Sequence, residues 1–144
     1  MTLCLLLLQL LAPYAPMPFP VAVRVLQIAK VTSKDVVYDL GSGDGRVLIL
    51  AAQKYGAKAV GIEIDETLCQ ESKTNARTFG VADKVTVICG DVFDQDLSAA
   101  SVVIVNLETD ALMRLESKLK TLKPGTRIVA NSANPAWKPE RSGG

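Results

Sequence analysis

Apolar and polar residues alternate in blocks along most of the chain, and the blocks predict a repeated order of strands and helices. Between the apolar runs, apolar residues recur at the three- and four-residue spacing of amphipathic helices, most clearly over 109–122. This order predicts an α/β fold, a Rossmann-like doubly wound and mostly parallel sheet. Five short runs suit its buried strands: 36–40, 59–65, 84–89, 102–105 and 126–130.

Two segments precede the first of these strands. Leu3 to Ala12 is almost entirely leucine, but as a helix its ten residues would reach only about 15 Å, half of a bilayer core. For this hydrophobic N-terminal segment (residues 1–12) three interpretations stay open: a helix packed on the domain or on a second subunit, a membrane-surface anchor, or a signal peptide. Pro13 to Pro20 is too proline-rich for a helix and predicts an extended segment, and a helix is expected from Val21 to Ala29.

The composition predicts one domain with a packed core. The 144 residues are 49% hydrophobic and carry a net charge of +1, so we expect neither disorder nor nucleic-acid binding. The chain has no histidine, the commonest general base and transition-metal ligand, and no metal site is predicted. Cys4, Cys69 and Cys89 share no C-x-x-C spacing. We therefore expect no disulfide or zinc site, Cys89 as a small core residue, and a reduced, intracellular protein.

The stretch with the clearest chemistry follows the strand at 36–40. It reads Asp39-Leu40-Gly41-Ser42-Gly43-Asp44-Gly45 and leads directly into a helix after Arg46. A strand, a glycine turn and a helix bring backbone N–H groups to a helix N-terminus, where nucleotide-like ligands bind. Without side chains, the glycines let the ligand approach the backbone. An ordinary strand-to-helix turn is the alternative. The residues predicted to bind the ligand are Asp39, Gly41, Ser42, Gly43 and Gly45.

Acidic and polar residues also stand at the carboxyl ends of the other predicted strands. Glu63 follows the glycine loop by about twenty residues, where this architecture places the second strand beside the ribose of its ligand. A carboxylate there can accept hydrogen bonds from both ribose hydroxyls, whereas a charge at a helix N-terminus is better supplied by Asp65 or Glu66. Asp91 and Asn106 follow the third and fourth strands. Their shared placement predicts a site at this edge of the sheet.

The glycine motif resembles that of the class I S-adenosylmethionine (SAM) methyltransferases, an acid, a spacer and Gly-x-Gly-x-Gly. The dinucleotide motif would instead be Gly-x-Gly-x-x-Gly. Within class I, the chain is most similar to the small protein-lysine methyltransferases of archaea and their mitochondrial relatives, which modify the adenine nucleotide translocase and the ATP synthase c-subunit. The segments that carry the resemblance are 13–16, 35–46, 61–64, 118–119, 123–127 and Trp137.

The resemblance implies a SAM-dependent methyltransferase that N-methylates a protein lysine, with SAM as cofactor and residues 13–144 as the SAM-binding domain. In the family pattern, Asp91 would accept a hydrogen bond from the adenine amine, the Val92 backbone would lie at the ring edge, and Ile64 would pack on the ring face. A simple turn residue is the alternative for Asp91. A small-molecule methyltransferase and a non-catalytic SAM-binding module are the alternatives for the whole chain.

The sequence departs from the family on the side of the methyl acceptor. Asn106-Leu107-Glu108 stands where the family has an aromatic-aliphatic run, and Met17 stands in place of a threonine. Tyr14 and Asn106 are the predicted catalytic residues, and no side chain is assigned as a general base. The chain ends at Gly144, before the final antiparallel strand pair of the class I fold, so we expect the C-terminal strands to be missing.

In the mitochondrial members, a hydrophobic segment precedes the domain and attaches it to a membrane. The resemblance therefore suggests a membrane contact for Leu3 to Ala12. The expected location is inside the cell, either cytoplasmic or peripherally associated with a membrane. The oligomeric state is not predicted.

Overall fold

A computed structural model describes residues 2–5 and 17–130 of the chain. Its strands are β1 Thr2–Leu5, β2 Val36–Leu40, β3 Lys58–Glu63, β4 Val85–Cys89, β5 Val102–Val105 and β6 Arg127–Ala130. Its helices are α1 Phe19–Ile28, α2 Arg46–Tyr55, α3 Glu66–Thr78 and α4 Thr109–Leu119, with a short 3-10 helix at Val92–Asp94.

The described strands form one parallel sheet in the order β1-β6-β5-β2-β3-β4. The chain enters the middle of the sheet at β2, adds β3 and β4 on one side, and then crosses back to add β5 and β6 on the other. The direction of winding therefore reverses between β2 and β5, which is where doubly wound sheets bind their ligands. The predicted α/β fold, a Rossmann-like doubly wound sheet, is confirmed.

Side chains on the two faces of the sheet belong to two separate hydrophobic cores. Alternation along β2 sends Val37 into one core, with apolar residues of α1, α2 and α3, and sends Tyr38 and Leu40 into the other. The second core is closed by α4, whose leucines recur on one helix face. Helices cover both faces, so the strand ends remain as the open edge.

Several element bounds differ from the prediction, and α1 begins at Phe19, inside the segment expected to be extended. The strand expected to reach Asp65 ends at Glu63, because Asp65 caps α3 and its carboxylate accepts a hydrogen bond from the N–H of Leu68 at 3.0 Å. The helix expected to reach Leu122 ends at Leu119. These changes leave every predicted site residue within 17–130 at the same end of the sheet.

The N-terminal segment differs from the prediction. Thr2–Leu5 forms β1, which extends the sheet by pairing in parallel with β6, with Leu3 opposite Ile128. The helix interpretation is therefore wrong for Leu3 to Leu5, since a leucine-rich run also suits a strand beside a buried neighbour. Residues 6–12 lie outside the described residues. Among the helices that are described, none has the length and apolar character needed to cross a bilayer.

The expectation of no disulfide is also wrong. Cys69 of α3 and Cys89 at the end of β4 form a disulfide bond, with their Cα atoms 5.6 Å apart. Cys69 is fully buried and Cys89 is half-buried. The bond forms because α3 packs beside β4, which brings together two residues separated by 20 positions in the sequence.

A partly buried ion pair stabilises the opposite end of the sheet. Asp35 accepts hydrogen bonds from the N–H of Thr32 at 2.8 Å and from the hydroxyl of Ser101 at 2.8 Å, and it pairs with the guanidinium of Arg127. Burial pushes the pKa of Asp35 upward, but these three partners outweigh burial and hold it below its ordinary value. This network joins the loop before β2 to β5 and β6, far from the ligand-binding edge.

Candidate active site

A cavity of about 380 Å³ lies at the carboxyl ends of the four strands β5, β2, β3 and β4. Most of the predicted site residues line it: Asp39, Gly41, Ser42, Gly43, Glu63, Ile64, Asp91, Val92 and Asn106. Tyr14 lies outside the described residues, and Gly45 is not part of the lining. The structure thus brings residues from four separate strand ends into one site, as the shared placement predicted.

The glycine loop is held tightly between the ends of β3 and β5. The backbone N–H groups of Gly41 and Ser42 both donate to the carbonyl of Ile62, at 2.9 and 3.2 Å. Gly41 has a φ of +81°, and a Cβ atom there would lie 2.7 Å from the carbonyl oxygen of Asn106. Only glycine fits this position, so the segment after β5 can cross directly beside the loop.

Gly45 is predicted to bind the ligand, and in the structure it packs closely against α3, outside the cavity lining. A Cβ atom on Gly45 would lie 2.3 Å from the hydroxyl oxygen of Ser72 in α3. Its φ of +86° also requires the left-handed region, immediately before α2 begins. The third glycine of the motif therefore lets α2 and α3 approach each other, which sets the direction in which α2 leaves the loop.

Glu63 ends β3 with its carboxylate fixed by the backbone. One oxygen accepts from the N–H of Gly43 at 2.8 Å and the other from the N–H of Asp65 at 2.9 Å. The side chain is only 7% exposed, yet it lines the cavity. Each carboxylate oxygen keeps a second lone pair, so Glu63 can still accept hydrogen bonds from a diol that enters the cavity.

Asp39 is the penultimate residue of β2, just before the glycine loop, and is 2% exposed. One of its carboxylate oxygens is fully buried and has no hydrogen-bond partner among the described residues. Burial raises the pKa of Asp39 well above its ordinary value, and the negative charges of Glu63 and Asp44 raise it further. A buried carboxyl with an unpartnered oxygen, flanked by acids, suits a ligand that carries positive charge.

Arg46 closes the cavity on the side of α1. Its guanidinium pairs with the carboxylate of Asp44 at 2.6 Å and donates to the backbone carbonyl of Met17 at 2.9 Å. The hydrogen bonds from Arg46 hold the pKa of Asp44 below its ordinary value. Met17 also lines the cavity, so the hydrogen bond from Arg46 holds the residues just before α1 against the site.

The opposite wall is formed at the end of β4. Asp91 accepts a hydrogen bond from the N–H of Phe93 at 3.0 Å and so begins the short 3-10 helix. Arg114 of α4 stacks on the Phe93 ring, with its guanidinium carbon 4.4 Å from the ring centre, and Lys118 donates to the Phe93 carbonyl at 3.1 Å. Ile64, an apolar residue that is 73% exposed, also lines the cavity.

Sequence reasoning gave no role to Arg46, Phe93 or Arg114. Arg46 directly follows the glycines, and that position was the one available signal for it. Phe93 and Arg114 are 21 positions apart in different elements, and nothing in the local pattern of either residue indicates that they meet. Asn106 is placed in the cavity as predicted, and its carbonyl stands against the glycine loop.

Taken together, the doubly wound sheet, the glycine loop, the backbone-held acid after β3 and the open strand ends define a class I SAM-dependent methyltransferase. The unpartnered oxygen of Asp39 and the exposed face of Ile64 suit a ligand with a cationic end and a flat ring. A family model described as the ANTKMT methyltransferase domain matches residues 39–141. The chain belongs to this family.

Individual relatives agree with the family. The chain is 43% identical to a protein-lysine N-methyltransferase of Saccharolobus islandicus, over 89% of this chain and 81% of that protein. It is 31% identical to a Xenopus laevis lysine N-methyltransferase of the ATP synthase c-subunit, over 92% of this chain and 58% of that protein. The chain thus spans somewhat over half of the length of the Xenopus relative.

Solved structures show the same fold. A crystal structure from Salinibacter ruber, described as an RNA methyltransferase in complex with S-adenosyl-L-homocysteine, has a TM-score of 0.85 and 44% sequence identity. The similarity covers 88% of this chain and 84% of that chain. The resemblance identified in the sequence is confirmed, and this chain is an enzyme that uses SAM.

Proposed function

We propose that this enzyme transfers the methyl group of SAM to the side-chain amine of a protein lysine. The observation that carries the proposal is one continuous cavity. Its β3 and β4 end offers a backbone-held carboxylate and an exposed apolar face, and its β5 end opens beside the glycine loop. The archaeal relative named as a protein-lysine N-methyltransferase supports lysine as the acceptor.

Each predicted cofactor residue that lines the cavity has a proposed role. Glu63 would accept hydrogen bonds from the ribose hydroxyls through the lone pairs that Gly43 and Asp65 leave available. The exposed face of Ile64 would cover the adenine ring, and Asp91 with the Val92 backbone would lie at the ring edge. The loop at 41–43 and the unpartnered oxygen of Asp39 would hold the methionine end.

When bound, SAM supplies a methyl group activated by a sulfonium sulfur. The chain has to hold the acceptor amine in line with that group and keep water away. The amine must also be neutral, which for a free lysine with a pKa near 10.4 costs about 4.6 kcal/mol at pH 7. We assign no general base. Tyr14 and Asn106 stay the predicted catalytic residues, and Asn106 lines the cavity at the end of β5.

Cofactor binding can be tested by calorimetric titration of SAM into the wild-type chain, Glu63→Ala and Glu66→Ala. Removing the carboxylate that binds the ribose should cost about 1.5–3 kcal/mol, or roughly ten- to a hundredfold in affinity. Glu66 is the matched control, since it is exposed and lies outside the cavity lining. Equal affinities for wild type and a folded Glu63→Ala variant would remove Glu63 from the site.

The acceptor can be tested by incubating the enzyme and methyl-labelled SAM with a whole-cell extract. For a protein lysine, the label should survive nuclease, be lost with protease, and be recovered as methyl-lysine by mass spectrometry. A label confined to small metabolites would select the small-molecule alternative. SAM binding without any transfer would select the non-catalytic module.

RNA is a second candidate acceptor, because the Salinibacter ruber structure with 44% identity is described as an RNA methyltransferase. A net charge of +1 offers little general attraction for phosphates. In the same extract experiment, a label that is lost with nuclease and survives protease would establish RNA and reject the lysine proposal.

The location stays a prediction from the sequence, inside the cell and either cytoplasmic or peripherally bound to a membrane through Leu3 to Ala12. Sedimentation with phospholipid vesicles would test the membrane contact. If residues 6–12 bind lipid, Leu8→Lys should reduce the fraction that sediments with vesicles. Equal sedimentation of wild type and variant would reject a lipid contact of this segment.

A further inference from the structure

Five carboxylates line the cavity, and four of them are either paired with other groups or buried in the described part of the structure. Asp44 pairs with Arg46, Glu63 accepts two backbone N–H groups, Asp91 caps the 3-10 helix, and Asp39 lies buried beneath the loop. The fifth is Glu108, which is exposed. Its side chain has no hydrogen bond or ion pair with any described residue.

Glu108 lies at the β5 end of the cavity, where the acceptor lysine is proposed to enter. It follows β5 by three residues, directly after the Asn106–Leu107 segment that lies against Gly41. The strand order places β2 and β3 between β5 and β4, so the end of β5 is about 14 Å from the end of β4, where the adenine ring is proposed to bind. A ligand whose ribose meets Glu63 therefore has its adenosine half on the side away from Glu108.

Glu108 is also accessible to a ligand, because it is exposed. It is the N-cap residue of α4, but its side chain does not cap the helix. Two cationic side chains share the lining, and both have partners: Arg114 is stacked on the ring of Phe93 at 4.4 Å, and Arg46 is paired with Asp44.

We propose that Glu108 determines acceptor specificity, by attracting the positively charged ammonium group of a substrate lysine to the mouth of the cavity. This inference rests on the proposed function. The ammonium must lose its proton before methyl transfer, so a nearby carboxylate assists capture of the cation and not the chemical step. Loss of Glu108 should therefore raise KM for the protein acceptor and leave kcat nearly unchanged.

The test compares Glu108→Gln with Asp110→Asn. Asp110 is exposed, lies in the first turn of α4 two residues away and is not part of the lining, so its loss changes the net charge equally. The acceptor is nuclease-treated total cell protein, and labelled methyl transfer is measured as a function of its concentration. SAM affinity is measured in parallel by calorimetry.

For Glu108→Gln we expect a rise in apparent KM of roughly three- to fivefold, the range of an exposed ion pair. The rise should shrink at 0.5 M salt, because screening removes the advantage of the wild type. Glu108→Asp should restore part of the difference, Asp110→Asn should behave as wild type, and SAM affinity should stay the same in all variants.

The inference and the proposed function can fail separately. If wild type labels protein lysine and Glu108→Gln has the same KM at low salt, the role of Glu108 is rejected and the proposed function stands. Equal losses in Glu108→Gln and Asp110→Asn would also reject it, because the effect would then come from net charge alone. If wild type labels no protein, both proposals fall together.

Discussion

Breaking the Cys69–Cys89 bond is the perturbation whose size follows most directly from the structure. The bond closes a loop of 20 residues that contains most of α3 and all of β4. In the chain-entropy account, a loop of this length restricts the unfolded chain by about 3 kcal/mol at 25 °C. Single domains are stable by only about 5–15 kcal/mol, so reduction should remove a large part of the total.

The assay has two stages. Thiol titration in denaturant should find one free thiol before reduction, that of Cys4, and three after it, because the chain has three cysteines. Urea unfolding of the oxidised and reduced protein should then differ by about 3 kcal/mol, with a melting temperature lower by roughly 10 °C in the reduced form. A Cys69→Ala/Cys89→Ala variant controls for the reductant, which should not change its stability.

The site should be much less sensitive than the fold. Neither cysteine lines the cavity, although Cys89 pairs in register with Glu63. The backbone bonds that hold Glu63 do not involve the disulfide, so SAM affinity should be nearly equal in the two redox states at a temperature where both are folded. Three free thiols in the unreduced protein, or equal stabilities with and without the bond, would refute this reasoning.

Three further substitutions test other parts of the structure. Asp39→Asn should weaken SAM binding, measured by calorimetry, and should stabilise the fold at neutral pH. The pKa of Asp39 is raised in the folded protein, so the stability of the wild type should fall as pH rises above 3.8. A wild type that is equally stable to urea at pH 4 and pH 7, as the variant should be, would contradict this. Asp35→Asn should lower the free energy of unfolding in urea by about 2 kcal/mol at neutral pH. The pKa of Asp35 is lowered in the folded protein, so the wild type should lose this extra stability only as pH falls below 3.8 and through the folded pKa. Gly45→Ala should lower the free energy of unfolding by about 2 kcal/mol. In a double-mutant cycle, Ser72→Ala should recover part of that loss, because it removes the hydroxyl that the new methyl group meets. If nothing is recovered, the whole loss comes from the backbone conformation of residue 45.

What the sequence predicted correctly depends on short-range order. The strand β2, the glycine turn and α2 are contiguous, and hydrophobic periodicity marks each of them. Glu63, Asp91 and Asn106 could be placed together without any contact being known, because parallel strands bring their carboxyl ends to one edge.

What the sequence did not predict depends on contacts between distant segments. The disulfide joins α3 to β4, and the stacking of Arg114 on Phe93 joins α4 to the turn after β4. The packing of Gly45 against Ser72 was also not predicted, since the motif position of Gly45 indicates only a ligand contact. Periodicity describes which face of an element is buried, but it does not specify the partner.

The two ends of the cavity are built in different ways, and this has a consequence for how the enzyme can change its acceptor. At the cofactor end, Glu63 and Asp91 are held by backbone N–H groups, so replacing them disturbs the loops as well as the ligand. At the acceptor end, Glu108 is exposed and makes no such contact with the described residues, so replacing it should cost little stability. Relatives that share this fold are described by different acceptors, a protein lysine in one and RNA in another. If the two ends have the proposed roles, a backbone-held cofactor end and an exposed acceptor end would allow such divergence without rebuilding the core.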